Sequence, residues 1–193
     1  MSKIILASRS KGRSHVLEVT GLAKFFEYRG SSVEEVLLDD PTATTRINAL
    51  NKARDVASSL KEGIVVGVDT VVYFNGKVLG KPKNFNEAFQ MLKNLNGNWH
   101  EVYTSIAIVD AKTGRTEVAT EVTRVKMDKL TEDEIKAYIR TGEPLGKAGG
   151  YAIRGLAALF IERIEGCYYN VVGLPLNLLR KLFLKFNINI LKP

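Results

Sequence analysis

A nearly continuous apolar run, GIVVGVDTVVYF at residues 63–74, limits the possible folds more than any other stretch of the chain. Its β-branched residues are typical of a strand that is buried on both faces of a sheet. The chain has 193 residues, 45% of them hydrophobic, which is enough for one well-filled core. We therefore expect a single domain over residues 1–193.

The rest of the chain alternates between strand and helix patterns. Asn75-Gly76 predicts a hairpin turn after the apolar run, and Pro41 predicts the first turn of a long helix. Residues 100–110 and 115–127 predict an antiparallel ribbon, and Thr131 with Glu134 predicts a capping box. The further expectations are strands at 25–33 and 156–166, a helix through Ala88 to Leu95 and a closing helix at 175–186. Local hairpins mixed with helical crossovers indicate an α/β fold with a mixed sheet.

Composition limits the cellular compartment and the kinds of partner that the chain is expected to have. The net charge of +7 fits nucleic acid, a membrane surface or a phosphorylated small molecule, but its scatter favours a solvated surface over a nucleic-acid arm. One cysteine, Cys167, excludes an intramolecular disulfide and indicates a reducing, cytoplasmic setting. Two histidines and one cysteine are too few for a zinc site unless carboxylates complete it. We find no membrane-length apolar run and no signal-peptide pattern, so no membrane partner is expected.

Lys3 to Ala7 predicts a short buried first strand, and the turn after it is unusually basic. It reads SRSKGR at residues 8–13 and leads into a helical pattern. Free backbone N–H groups at a helix N-terminus favour phosphate, and Ser8, Ser10, Lys11 and Arg13 would add hydroxyls and cations there. The alternative is an ordinary basic loop, and the spacing is not that of a Walker loop.

Asp69 lies inside the apolar run, followed by Thr70. A buried aspartate is costly unless it is paired, hydrogen-bonded or bound to a metal. It therefore either caps a loop amide or serves as a metal ligand or general base at the end of a central strand.

Further polar segments complete a possible site. Lys81 lies in a GKP turn, and Lys147 lies in the glycine-rich stretch GEPLGKAGGYAIRG at residues 142–155. Glu34 and Glu35 follow a predicted strand end. Two adjacent acids are usually solvated, but they would hold Mg²⁺ if one of them faced Asp69. Several cations, two or three carboxylates and free amides suit a polyphosphate with a divalent metal, attacked by water because no covalent nucleophile is evident.

The ordered blocks LASRSKGRSHVL, GVDTVV with GKP, HEVYTS and GKAGGYAIRG…GCYYNVVGLPL resemble the signature blocks of the Maf (septum formation inhibitor-like) family over nearly the whole chain. The resemblance implies a nucleoside triphosphate pyrophosphatase that yields a nucleoside monophosphate and pyrophosphate with a divalent cation, Mg²⁺ or Mn²⁺. It also implies a twisted mixed sheet with flanking helices and two lobes around a central cleft, similar to inosine triphosphate pyrophosphatases, and a homodimer.

The resemblance assigns roles to individual residues. Asp69 corresponds to the proton acceptor, and Glu35 with Asp69 would hold the metal. The family lysines fall on Lys52, Lys81 and Lys147. Substrate-binding positions fall on Ser8, Ser10, Arg13, Thr70, Lys147 and Arg154. Thr70 resembles the branch that prefers dTTP and UTP, since the branch associated with methylated guanine nucleotides would have an acid there.

Two departures from the family pattern affect the substrate. Ser10-Lys11-Gly12-Arg13 stands where the family usually has Ser-Pro-Arg-Arg, and Arg154 stands in place of a glutamine that helps set base choice. A guanidinium donates but does not accept hydrogen bonds, so we expect activity on several nucleotides whose bases carry carbonyl groups.

Two other functions are compatible with the residues. One is a nucleotide- or nucleic-acid-binding regulator of cell division without turnover, in which Tyr103, Tyr151, Tyr168 and Tyr169 would stack on bases. These tyrosines fall in predicted strands, which favours core packing and argues against nucleic acid as a partner. The other is an inosine triphosphate pyrophosphatase, which would prefer ITP or XTP.

Overall fold

The computed structural model describes residues 3–192, which form seven strands and six helices around one sheet. The strands are β1 (Ile4–Ala7), β2 (Phe26–Tyr28), β3 (Ile64–Phe74), β4 (Lys77–Leu79), β5 (Trp99–Asp110), β6 (Thr116–Met127) and β7 (Ile161–Glu165). The helices are α1 (Lys11–Val19), α2 (Pro41–Ala57), α3 (Phe85–Leu95), α4 (Glu132–Arg140), α5 (Tyr168–Val172) and α6 (Leu176–Lys185).

The sheet is mixed, and it confirms the expected α/β class. Its strand order is β2-β1-β3-β5-β6-β7, with β4 paired to β3 outside this path. The pairs of β1 with β2 and with β3 are parallel, whereas the others are antiparallel. The apolar run is the central strand β3, as its sequence predicts.

One edge of β3 has a gap between two partner strands. β1 pairs with Ile64 to Gly67, and β4 pairs with Val72 to Phe74. Within the described chain, no strand pairs with residues 68–71 on that edge, while β5 covers the other edge from Ile64 to Tyr73. The gap leaves Asp69 and Thr70 at an opening in the sheet, with their side chains on opposite faces.

The hydrophobic core divides on either side of this gap. Clusters around α1, α6 and α2 cover the β1 end of the sheet, including Leu17, Phe183 and Ala53. A third cluster, which includes Leu92 and Ile135, packs α3 and α4 against the other end. Because β3 and β5 run through both parts, they connect the two halves of the core.

Close packing of α2 on β3 depends on Gly67. A Cβ at this position would lie 2.0 Å from the carbonyl oxygen of Ala49 and 2.8 Å from the amide nitrogen of Ala53. Only glycine permits that approach, which brings α2 against the face of β3 that carries Asp69.

Several local expectations are confirmed. Asn75 and Gly76 both have positive φ, 46° and 76°, and connect β3 to β4 in a two-residue hairpin. Thr131 and Glu134 form the capping box of α4. No helix among residues 3–192 combines the length and the apolar character needed to cross a bilayer.

Three expected strands differ from the structure. Only Phe26–Tyr28 of residues 25–33 is a strand, because the chain beyond it pairs with side chains of α2. Residues Leu156–Phe160 form a 3₁₀ turn, held by the carboxylate of Glu143, and the strand begins at Ile161. Tyr168 and Tyr169, expected in a strand, lie in α5, where the buried Asn170 anchors the helix to Val102 and Thr123. Tertiary contacts override the local strand preference there.

Candidate active site

A cavity of about 460 Å³ lies at the gap in the sheet edge. Its walls come from the turn before α1, the segment before α2, the strand β3, the turn at Lys81, residues 146–154 and the end of α5. Its cationic side chains are Arg9, Lys11, Arg13, Lys52, Lys81, Lys147 and Arg154. Among the described residues, Glu35 is the single acid that lines it, so the cavity is strongly electropositive.

Lys52 links two carboxylates at one end of the cavity. Its Nζ donates to Oδ1 of Asp69 and to Oε1 of Glu35, both at 2.6 Å. Lys81 donates to both oxygens of Glu35 at 2.8 Å. The four side chains form one chain of ion pairs, which we call the Lys52 cluster.

Asp69 is buried behind Lys52 and is not part of the cavity wall. Its second oxygen, Oδ2, accepts a hydrogen bond of 3.0 Å from the side-chain amide of Asn48. Asn48 also exchanges hydrogen bonds with the backbone N–H and carbonyl of Val36, each 2.9 Å long. It therefore fixes Asp69 relative to the segment that carries Glu35.

The ionisation of Glu35 reflects its two lysine partners. Burial raises its pKa, but the hydrogen bonds and positive charges of Lys52 and Lys81 outweigh burial and bring the pKa to about 2. Glu35 is therefore an anion at any pH near neutrality.

Arg13 organises the opposite face of β3. Its guanidinium donates to the Ser8 hydroxyl at 3.0 Å, to the Thr70 hydroxyl at 3.1 Å and to the carbonyl of Gly173 at 2.9 Å. Burial lowers its pKa, an effect that the negative charges of Asp69 and Glu35 oppose. Arg13 thus joins the N-terminal turn, the central strand and the end of α5 around one cation.

The loops that carry Lys81 and Lys147 are tied to each other. The amide of Gly149 donates to the carbonyl of Gly80 at 3.0 Å. Gly149 has a φ of 69° and packs on Val72, where a Cβ would lie 2.7 Å from a methyl group. This contact holds both lysines beside the same cavity.

The family resemblance assigns roles to ten residues, and nine of them line the cavity: Ser8, Ser10, Arg13, Glu35, Lys52, Thr70, Lys81, Lys147 and Arg154. The tenth, Asp69, reaches it through Lys52. Sequence analysis missed Arg9 as a lining residue and Asn48 and Glu143 as supporting residues. No local pattern in the sequence marks Asn48 and Glu143, because their partners lie on other segments.

The two carboxylates of the Lys52 cluster fit a divalent cation. Within residues 3–192 there is no group of three or more His, Cys, Asp or Glu side chains arranged to hold a metal. Mg²⁺, however, is usually bound by one or two carboxylates together with substrate phosphates and water. Glu35 and Asp69, which contact the same ammonium group, supply hard oxygen donors of that kind.

The tyrosines offer little stacking surface in the cavity. Tyr151 lines it but is buried, and its hydroxyl lies 2.7 Å from Nε2 of the buried His100. Tyr103, Tyr168 and Tyr169 do not line it. The cavity therefore has fewer features of a base-stacking platform than of an anion site.

Comparison with known proteins finds one family over nearly the whole chain. The model of the Maf-like protein family matches residues 3–186. A dTTP/UTP pyrophosphatase of Desulforamulus reducens is 45% identical over 98% of this chain and all of its own length. Proteins with the same name from Pelotomaculum thermopropionicum (46% identical; 99% of this chain and 100% of the relative) and Acetivibrio thermocellus (44%; 100% and 99%) are similar over their full lengths.

Proposed function

This chain belongs to the Maf-like protein family, and on that basis we propose that it is a nucleoside triphosphate pyrophosphatase. It would hydrolyse the anhydride between the α- and β-phosphates and favour dTTP, UTP or similar modified nucleotides, in a house-cleaning role. The observation that carries the proposal is the cavity itself, in which six further cations surround Lys52, the lysine that links two carboxylates. Relatives named dTTP/UTP pyrophosphatase support the same reaction.

Two groups of side chains, on two sides of the cavity, would bind the triphosphate. Ser8, Ser10, Arg13 and the free amides at the start of α1 would hold phosphate oxygens on one side. Lys52, Lys81 and Lys147 would neutralise charge on the other side, since each reaches the cavity. Charge that builds up on the leaving pyrophosphate is stabilised by such fixed cations.

Asp69 is the proposed proton acceptor. Both of its oxygens are occupied by Lys52 and Asn48, so Lys52 must release Oδ1 before the carboxylate can take a proton. An incoming phosphate would draw Lys52 away from Asp69. Water then adds to phosphorus, its proton passes to Asp69, and the bond to the bridging oxygen breaks with its electron pair leaving on pyrophosphate.

Glu35 and Asp69 would hold the divalent metal, Mg²⁺ or Mn²⁺. When bound, such an ion neutralises phosphate charge and lowers the pKa of water. Glu35 suits this role because its pKa, about 2, keeps it ionised.

A homodimer in the cytoplasm completes the proposal. Leu156 and Leu159 are 49% and 84% exposed and supply apolar surface beside β7. Light scattering of the purified protein distinguishes a dimer from the 21.4 kDa monomer.

Pyrophosphate release from a nucleotide panel tests the proposal. Purified protein with Mg²⁺ or Mn²⁺ should convert dTTP and UTP to monophosphate and pyrophosphate, and EDTA should stop the reaction. Nucleotide binding without any pyrophosphate would favour the regulator instead. A strong preference for ITP or XTP would favour an inosine triphosphate pyrophosphatase.

A further inference from the structure

Arg154 is held in the cavity wall by its backbone. It lies in a segment, residues 151–155, between two short 3₁₀ turns and outside the sheet. Within the described chain its guanidinium makes no hydrogen bond and no ion pair. The position of this guanidinium therefore depends on the contacts that fix the neighbouring backbone.

Glu143 fixes the C-terminal side of that segment. Its Oε2 accepts a hydrogen bond of 2.9 Å from the amide of Leu156, and its Oε1 accepts one of 3.2 Å from the amide of Ala157. Hydrogen bonds to an ionised carboxylate are stronger than those between neutral groups. The carboxylate thereby determines where the 3₁₀ turn after Arg154 begins.

Tyr138 extends the contact to the N-terminal side. Its hydroxyl donates to Oε1 of Glu143 at 2.8 Å and accepts from the amide of Ala152 at 3.3 Å. The ring is buried and packs edge-on against Phe160. The backbone is thus held two residues before and two residues after Arg154.

Gly155 leaves room for the carboxylate. A Cβ at Gly155 would lie 2.3 Å from Oε2 of Glu143. The carboxylate therefore sits directly against the backbone of the residue that follows Arg154, where no other residue type fits without displacing it.

We propose that Glu143 is a positioning residue that presents Arg154 to the nucleotide. The proposal rests on the proposed function, because it takes Arg154 to contact the substrate. Glu143 itself does not line the cavity and would act through the backbone of residues 152–157.

A double-mutant cycle on nucleotide binding tests this role. The probe is the non-hydrolysable α,β-methylene analogue of dTTP, and calorimetry gives its Kd for wild type, Glu143→Gln, Arg154→Ala and the double variant. Gln keeps the shape of Glu143 but replaces one acceptor oxygen with an NH₂ group that cannot accept from an amide. Each single change should weaken binding about tenfold, and the double variant should bind no more weakly than Arg154→Ala alone.

Glu134→Gln is the matched control. Glu134 also accepts from a backbone amide and a hydroxyl, those of Thr131, at the other end of α4. Its replacement should lower thermal stability about as much while leaving the Kd unchanged. If Glu143→Gln fails to fold, Tyr138→Phe removes the hydroxyl alone and should weaken binding in the same direction by a smaller factor.

Other outcomes would overturn the proposal. Additive losses, a Kd for Glu143→Gln equal to that of wild type, or an Arg154→Ala variant that binds normally would each do so. Pyrophosphate release by the wild-type protein is scored separately. Tight binding of the analogue without release of pyrophosphate from dTTP would refute the proposed function. The double-mutant cycle on binding would still decide the role of Glu143.

Discussion

Nζ of Lys52 lies 2.6 Å from Oδ1 of Asp69, and both side chains are at least nine-tenths buried. A buried pair of this kind adds little net stability but is costly to break, since the remaining charge loses its partner. In the proposed mechanism, the pair also keeps the proton acceptor covered until the substrate phosphate attracts the lysine.

Asp69→Asn should leave the protein folded and nearly inactive. We expect the free energy of unfolding to fall by about 3 kcal/mol, because Lys52 loses its buried counter-charge. Pyrophosphate release should fall by about a thousandfold or more, because the proton acceptor is lost. Steady-state kinetics and urea denaturation measure both, with Asp110→Asn at the far end of β5 as a control. A near-normal rate would remove Asp69 from the mechanism.

Lys81→Met should raise KM more than it lowers kcat. The Lys81 side chain is 46% exposed and lines the cavity, so it would contact the phosphates without being needed for the fold. Loss of one charge-assisted contact should raise KM about tenfold. Lys83→Met, two residues away and outside the cavity wall, should behave as wild type. Equal effects of the two changes would indicate a nonspecific effect of net charge.

Gly67→Ala should destabilise the protein strongly. The added methyl group would meet the backbone of α2 at 2.0 Å, so α2 must move away from β3. We expect a loss of about 3 kcal/mol or more in urea denaturation, together with lost activity because Asn48 and Lys52 move away from Asp69. Gly80→Ala meets only ordinary contact, with Leu37 at 3.6 Å, and should cost less than about 1 kcal/mol. A stable, active Gly67→Ala variant would contradict this account of the packing.

Because of His100, the free energy of unfolding should fall as the pH is lowered below 6.5, before most carboxylates begin to titrate. Burial lowers its pKa from 6.5 to about 4, and its Nδ1 has no partner among the described residues. Between pH 6.5 and about pH 4, the His100 ring therefore binds a proton in the unfolded chain but not in the folded one. This contribution is fully present above pH 6.5 and is lost as pH falls towards 4, with about 2 kcal/mol gone by pH 5.

Urea denaturation at pH 7.5 and pH 5 measures the effect of His100. His100→Gln should reduce the difference between the two free energies of unfolding by about 2 kcal/mol. His15→Gln, at an exposed position on α1, should leave the difference unchanged. An unchanged difference in the His100 variant would show that the ring is not the titrating group.

Arg154 should broaden the range of bases that the enzyme accepts. Several nucleotides with carbonyl-bearing bases should be hydrolysed, dTTP and UTP ahead of ATP and CTP, because a guanidinium only donates hydrogen bonds. Arg154→Gln supplies a donor and an acceptor and should narrow the preference towards dTTP and UTP. Initial rates on a nucleotide panel measure both. ATP or CTP as the best substrate of the wild type would contradict the assignment.

Sequence alone predicts the features that have a local signal. The β3 run, the Asn75-Gly76 turn and the capping box of α4 follow from neighbouring residues, and the structure has all three. Asp69 is also recognisable in the sequence as a candidate site residue, because a charge within an apolar strand requires a partner. Its contact with Asn48, however, joins residues 21 positions apart and depends on how closely α2 approaches Gly67.

The strand predicted over residues 156–160 fails for the same kind of reason. LAALF is apolar enough for a strand, but the carboxylate of Glu143, 13 residues upstream of Leu156, captures its amides and sets the 3₁₀ turn. Such long-range partners exist only once the fold has brought the segments together.

The interval between β1 and β4 along the edge of β3 also affects how the molecule behaves towards copies of itself. An exposed strand edge ordinarily recruits another chain, which adds as a further strand and starts aggregation. Here only residues 68–71 lack a neighbouring strand, and β1 and β4 flank them on both sides. Four residues are too few to template an intruding strand, and the cavity lies beside them. The same interruption of the ladder that opens the cavity therefore limits the addition of a foreign strand along this edge of β3.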